Sequence, residues 1–184
     1  MNLDKAIQNR HSVRRFTSKK PNWRDIIECI DSARYAPMAG NNFSVKFIVV
    51  ADRKKIQKLS EAAQQNFIVQ AHYVVVVCTD SKRTANSYGE RGEKYCKQQA
   101  GAAIQNFLLK IEEKNLAACW VGHFVDHMVK EILAIPEGVQ VEAMLPVGYE
   151  FGKTEKKRKI DFNQILYFEK YKNKKMNNPA KIDI

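Results

Sequence analysis

No stretch of the 184-residue chain stays apolar for the roughly 18–20 residues a bilayer-spanning helix needs. The longest apolar runs, Phe47 to Ala51 and Val74 to Cys78, are strand-sized. The N-terminal MNLDKAIQNRHSVRRF contains no apolar h-region, so no secretory leader is visible and a cytoplasmic location is expected. Closely spaced cysteine pairs are missing too. Cys29, Cys78, Cys96 and Cys119 lie 49, 18 and 23 positions apart, which argues against a zinc site or disulfide scaffold and for four reduced thiols. His11, His72 and His127 do not fall at metal-ligand spacing, so no metal is expected. G-x-G-x-x-G, P-loop, nucleophile-elbow and zinc motifs are all absent.

What the chain has is the composition of a soluble globular protein, 45% apolar and 28% charged. That balance excludes a collagen, a coiled coil and a wholly disordered chain. Thirty-one basic against twenty acidic residues give a net charge of +11. The last 32 residues, from Lys153, carry +6 of it. A basic excess suits anionic partners such as phosphate-bearing cofactors or nucleic acid, and equally a lysine-rich solubilising surface.

Periodicity predicts alternating helices and strands without an internal repeat. A short helix over Leu3 to Gln8 follows an Asn2 cap, and Pro21-Asn22 opens a second with Trp23, Ile26, Ile27, Ile30 and Ala33 on one face. Pro37 ends that helix, and Gly40-Asn41-Asn42 forms a turn. Strands are expected at Val45 to Ala51, Val74 to Thr79 and Val139 to Tyr149, with Leu116 to Val121 a further apolar segment. Helices are expected from Asp52 to about Gln65, from Glu93 to Lys114 and from Met128 to Ala134. Ser81 to Gly92 reads as a polar surface loop. A single domain covers residues 1–171, and the basic tail 172–184 is expected to fray.

Three clusters carry chemistry. Arg10-His11-Ser12-Val13-Arg14-Arg15-Phe16 concentrates guanidinium, imidazole and hydroxyl donors, a set that matches phosphate oxygens or else makes a solvated basic face. Lys156-Lys157-Arg158-Lys159 is a second basic run with the same two readings. Cys119-Trp120-Val121-Gly122-His123-Phe124 ends an apolar strand, where a glycine lets a planar ligand approach the backbone.

In this order the elements resemble the nitroreductase-like, FMN-dependent oxidoreductase family. Arg10 to Phe16 is similar to its R-R/H-S-V-R-x-F signature, and Ala36-Pro37-Met38-Ala39-Gly40-Asn41-Asn42 to its A-P-S-x-x-N turn. Ala100 to Leu109 resembles the D-x-G-A-A-x-Q-N-L-L helix, and Asn115 to Gly122 the G-L-G-x-C-W-V-G strand. Leu145 to Tyr149 with Lys156-Lys157-Arg158 resembles the closing L-P-x-G-Y and K-x-R elements.

The resemblance implies an α+β nitroreductase-like fold: a central mixed, mainly antiparallel sheet flanked by helices, in an intertwined homodimer that exchanges C-terminal arms (residues 160–171). It implies FMN as cofactor, with its phosphate and part of its ring held by Arg10, His11, Ser12 and Arg14 and the phosphate closed from the other side by Lys156 and Arg158. Pro37, Met38, Ala39 and Asn41 would reach the flavin from the partner subunit. Gln65 would meet the pyrimidine, and Trp120, Val121, Gly122 and His123 would lie beside the ring, with the Gly122 N–H near N5. The implied activity takes a hydride from NADH or NADPH and passes it to a nitroaromatic, quinone or related acceptor by a ping-pong mechanism, with no dedicated acid–base residue. Three departures leave the acceptor open. Asn42-Phe43-Ser44 stands where the family has Q-P-W, Gln98-Gln99 replaces its usual acid, and the Ser81 to Gly92 segment is short. Two readings compete: a basic module gripping nucleic acid through the tail, and a flavin-binding protein without NAD(P)H turnover.

Overall fold

A computed structural model describes residues 2–154 and 158–176. The chain divides into two compact units, residues 1–154 and 155–184.

In the first unit, side-chain caps start the helices where the sequence offers them. Asn2 accepts from the Lys5 N–H ahead of α1 (Leu3–Asn9), Asn22 from Arg24 ahead of α2 (Trp23–Ala33), and Asp52 from Lys55 ahead of α3 (Arg53–Ala63). Each such cap contributes about 1 kcal/mol. Strand β1 (Val45–Val50) precedes α3, and β2 (Tyr73–Asp80) follows it after a 3-10 turn at Asn66–Gln70. Helix α4 (Lys82–Tyr88) then leads into the 23-residue α5 (Arg91–Glu113). The unit closes with β3 (Ala117–Ala118), α6 (Asp126–Leu133) and β4 (Val139–Gly148).

The strands form one sheet in the order β1-β2-β4-β3, and every described pairing is antiparallel. Alternation along β2 sorts its side chains between two cores. Val75 and Val77 join Ala103, Ile104 and Phe107 of α5 and Ile26 and Cys29 of α2 on one face. Val74, Val76 and Cys78 pack on the other with Ile56 and Leu59 of α3 and Val129 of α6. Helices therefore cover both faces, which is why β2 is a nearly continuous valine run. Truncating Phe107, which is fully buried, should cost about 3–5 kcal/mol.

Ser81 to Gly92, expected as a loop, contains α4. Of its residues only Thr84 is buried, so the helix carries no periodic apolar face to announce it. Tertiary contacts hold it instead. The Tyr88 hydroxyl lies where a Cβ on Gly40 would be 2.6 Å away, and Tyr88 meets Tyr95 of α5 edge-on at 5.3 Å. A Cβ on Gly92 would fall 2.6 Å from backbone atoms of Ala85, so the α4–α5 corner closes only with glycine there. Gly89 (φ 57°, ψ −139°) supplies a backbone conformation that side chains oppose.

The second unit is organised around Lys174. Its ammonium sits 3.9 Å from the Tyr167 ring centroid and donates to the carbonyls of Leu166 and Asn163, beside α7 (Phe162–Ile165). Ile160, Phe162, Ile165 and Tyr171 are exposed. No described helix is long and apolar enough to cross a membrane.

Candidate active site

Helix α1 ends at Arg10, whose backbone turns to φ −53°, ψ 121° and sends the chain out extended along the sheet. Val13 and Phe16 point inward and are buried with Ala71 and Ala117. The Val13 N–H donates to the Ala118 carbonyl of β3 at 3.0 Å, the Thr17 N–H to Tyr149 at 2.9 Å, and the Phe151 N–H to Arg15 at 2.9 Å. Phe16 fits because Gly148 has no side chain; a Cβ there would be 2.8 Å from its ring. With Val13 and Phe16 anchored, Arg14 is placed over the Phe67 ring (5.9 Å) and Arg15 over Phe151 (4.9 Å).

Ser12 and Arg14 arrive beside Cys119. Burial pushes the Cys119 thiol above its ordinary pKa, while the charge of Arg14 and a hydrogen bond with Ser12 pull the other way. His11 faces inward. Its Nδ1 lies 2.7 Å from the Asn9 carbonyl and its Nε2 3.1 Å from Glu150 Oε1, so both ring nitrogens are engaged within the fold. Arg10, His11 and Glu150 line a cavity of about 180 Å³.

Pro146 shapes the next segment. Its carbonyl accepts from the Cys119 N–H at 3.4 Å, so the N–H that proline lacks would have pointed to the same, β3 side. The β3–β4 ladder weakens there and resumes only at Val121, which exchanges two 2.9 Å bonds with Met144. Trp120 is left half-exposed, and Gly122 and His123 are exposed. The nearest atom to a Cβ on Gly122 would be Trp120 Nε1 at 3.9 Å, so its backbone is open to an approaching group. The Gly122 N–H has no partner among the described residues. Val121 itself is buried, so its side chain belongs to the core.

Gln65 comes to the same place. Helix α3 stops with Gln64 in the left-handed region (φ 54°), and the Gln65 backbone bonds back to Ser60. The Gln65 side-chain amide then donates to the His123 carbonyl at 3.5 Å.

The structure therefore brings together Ser12, Arg14, Gln65 and the Cys119–His123 segment. Pro37, Met38, Ala39 and Asn41 are not among them; their 3-10 turn (Ala39–Asn41) packs under Tyr88, and no described contact joins it to Ser12 or Gly122. Lys156 lies outside the described residues, and Arg158 belongs to the second unit. Sequence reasoning missed Glu150, whose bond to His11 spans 139 positions and leaves no spacing signal, and Phe67 beneath Arg14. No group of three or more His, Cys, Asp or Glu that could hold a metal ion occurs among the described residues.

Comparison with known proteins bears on the family and the fold. The family model described as the Nitroreductase family matches residues 7–70 and 60–149. A protein of Archaeoglobus fulgidus that bears the provisional name NADH dehydrogenase/NAD(P)H nitroreductase is 31% identical over 150 residues, covering 79% of this chain and 83% of its own. The structure of B. megaterium NfrA2 superposes with a TM-score of 0.85 at 26% identity, over 93% of this chain and 76% of that one. The NADPH:FMN oxidoreductase of Vibrio harveyi, solved in complex with NAD+, shares the fold with a TM-score of 0.83 at 21% identity, over 96% and 80% of the two chains. From its N-terminal arginine segment to the end of its last strand, the chain belongs to the Nitroreductase family.

Proposed function

We propose that the protein is an FMN-dependent oxidoreductase that accepts a hydride from NADH or NADPH and delivers it to an organic acceptor such as a nitroaromatic or quinone. The observation that carries this reading is that Ser12 and Arg14 reach Cys119 while the Gln65 amide reaches His123, the two ends of the segment that holds the open Gly122 backbone. The donor set fits a flavin mononucleotide. Arg14 and Ser12, with Arg10 nearby, supply the guanidinium and hydroxyl donors a phosphate takes. The unpartnered Gly122 N–H offers a neutral donor to a ring edge. When bound, the flavin supplies two-electron chemistry between nicotinamide and acceptor, which needs no acid–base side chain of the protein.

The protein's part is binding and orientation. Arg10, Ser12 and Arg14 hold the phosphate, a role that the resemblance also implies for Lys156 and Arg158. His11, engaged with Glu150, fixes the segment that carries these donors. Gln65 faces the pyrimidine, and Trp120 and His123 border the ring. A second copy of the chain brings its Pro37, Met38, Ala39 and Asn41 turn to the site, so the working form is a homodimer. The exposed apolar side chains of residues 160–171 form the arm between copies.

The test is an absorbance spectrum of the purified protein, then anaerobic addition of NADH and NADPH. Flavin bands that bleach on addition are the expected result. A protein that neither carries nor takes up FMN would overturn the reading and move the basic second unit, with a nucleic-acid partner, to first place.

A further inference from the structure

Two buried side-chain atoms lack a hydrogen-bond partner among the described residues, Thr84 Oγ1 and Gln99 Nε2, and both belong to one corner of the fold. Gln99 cannot turn its amide round. Its Oε1 accepts from the Ser44 N–H at 2.8 Å and from Ser44 Oγ at 2.6 Å, and a backbone N–H requires an oxygen opposite it. The amide nitrogen is thus a donor with nothing to donate to. Buried polar groups are rarely left so, and two around Ser44, one on the residue that bonds it and one on a residue that shares a cavity with it, point to a missing acceptor.

Ser44 and Thr84 line a polar cavity of about 220 Å³ together with Asn42, Lys46, Asp80 and Arg83. Neither Lys46 nor Arg83 has an ion pair among the described residues. Asp80 is the one carboxylate in the wall, and its Oδ1 accepts from the Lys82 N–H at 3.2 Å. Donors outnumber acceptors: an ammonium, a guanidinium, the Asn42 amide and an unspent hydroxyl. A tetrahedral oxyanion uses such a set more fully than a carboxylate, which offers two oxygens on one side. The volume lies below the roughly 300–1,000 Å³ that takes a whole drug-sized ligand, so the cavity suits one substituent of a larger molecule.

Its position says which molecule. Asn42 donates its N–H to Ala39 at 3.0 Å, so the cavity begins where the 39–41 turn ends, and Asn41 to Ser44 spans at most about 10 Å of chain. Under the function proposed above, on which this inference rests, that turn borders the flavin site. The dinucleotide that reaches the site as NADPH differs from NADH by a single phosphate monoester on the adenosine ribose.

We propose that the Ser44–Thr84 cavity is a phosphate-monoester subsite that receives the 2′-phosphate of NADPH and makes NADPH the preferred electron donor. Lys46 and Arg83 supply the charge that NADH cannot use. Ser44, held by Gln99, and Thr84 complete the wall.

The experiment compares kcat/KM for NADPH and NADH, with a quinone acceptor, in the wild-type holoprotein and in a Lys46→Ala, Arg83→Ala double variant. Both side chains are exposed, so the double variant folds. The wild type should favour NADPH at least about tenfold, and the variant should lose that preference through a raised KM for NADPH with NADH unchanged. Calorimetric titration gives a second readout: adenosine 2′,5′-bisphosphate should bind the wild type at least about tenfold more tightly than 5′-AMP, and the variant should not distinguish them. Equal use of the two dinucleotides, a preference that survives in the variant, or a change confined to the acceptor KM overturns the subsite while leaving the oxidoreductase standing. Bleaching by neither dinucleotide removes both readings.

Discussion

His11 and Glu150, 139 positions apart, meet at 3.1 Å between Nε2 and Oε1 and tie the donor-rich N-terminal segment to the chain just past β4. Burial alone would raise the Glu150 carboxyl, but hydrogen bonds from Thr154 and His11 outweigh it and hold the group below its ordinary value of 4.5. A carboxyl whose folded pKa is lowered contributes stability above its unfolded value, and the contribution disappears as pH falls through the folded value. Glu150→Gln should therefore lower stability by about 0.5–1 kcal/mol at pH 7, since the pair is partly exposed. Thermal melts of the two proteins should converge as pH falls below 4.5 and through the lowered folded value. An offset unchanged with pH would show that the contact acts through shape rather than charge.

Arg14 and Arg15 are adjacent but placed over different rings, Phe67 and Phe151. Arg14→Ala should weaken FMN binding at least about tenfold, as expected for losing a charge-assisted phosphate bond, while Arg15→Ala changes it little. Arg10→Ala combined with Arg158→Ala should lower FMN affinity far more than fold stability. Fluorescence titration of FMN against each variant reads these outcomes, and equal effects at Arg14 and Arg15 would remove the phosphate assignment.

Much of the fold was legible because local and global signals agree. The Asn2, Asn22 and Asp52 caps sit where the helices begin, and the valines of β2 are buried on both faces as their continuity implies. Helix α4 was not legible, because its single buried residue gives no period and the contacts that hold it, Tyr88 on Gly40 and Gly92 on Ala85, are tertiary. The site divides in the same way. The arginine segment and the Trp120–His123 strand end carry recognisable residue types. Gln65 is expected there only through the resemblance; its approach to His123 depends on a left-handed residue at the end of α3, which residue types and periodicity do not specify.

The two glycines of α5 should respond in opposite directions. Gly92→Ala forces a Cβ to within 2.6 Å of backbone atoms of Ala85, which cannot rotate away, and should cost about 1–3 kcal/mol. Gly101 faces open space in the single chain, so Gly101→Ala should raise stability by about 0.5–1 kcal/mol through helix propensity. Denaturant unfolding measures both. Destabilisation by Gly101→Ala would mean that another surface, such as a second copy, lies against that face.

All four cysteines are buried, and burial pushes the Cys29 thiol up to about 12 and Cys78 to about 11. At pH 8 a thiol with a pKa near 12 is ionised on the order of one part in ten thousand. A disulfide reagent such as DTNB should therefore label none of the four rapidly in the native protein and all four after denaturation. Fast native labelling of one thiol would identify a cysteine reachable from solvent, and its protection by FMN would place it at the flavin site.

Gly122 separates a purely structural glycine from one that makes room for a ligand. Its φ lies outside the left-handed region, and a Cβ there would meet nothing closer than 3.9 Å. The folded chain alone therefore has no use for glycine at this position, and Gly122→Ala should leave the unfolding free energy unchanged within about 0.5 kcal/mol. If a planar cofactor lies against this backbone, the added methyl group occupies its space, so the same variant should bind FMN at least about tenfold more weakly. Gly122→Pro removes the unpartnered N–H as well, and should slow anaerobic reduction of whatever flavin it retains beyond the effect of alanine. Unchanged FMN affinity in the alanine variant would place the flavin ring elsewhere, whatever the arginine variants show. Weaker binding by alanine with no further loss of rate in proline would keep the ring at Gly122 but deny its N–H a part in the reaction.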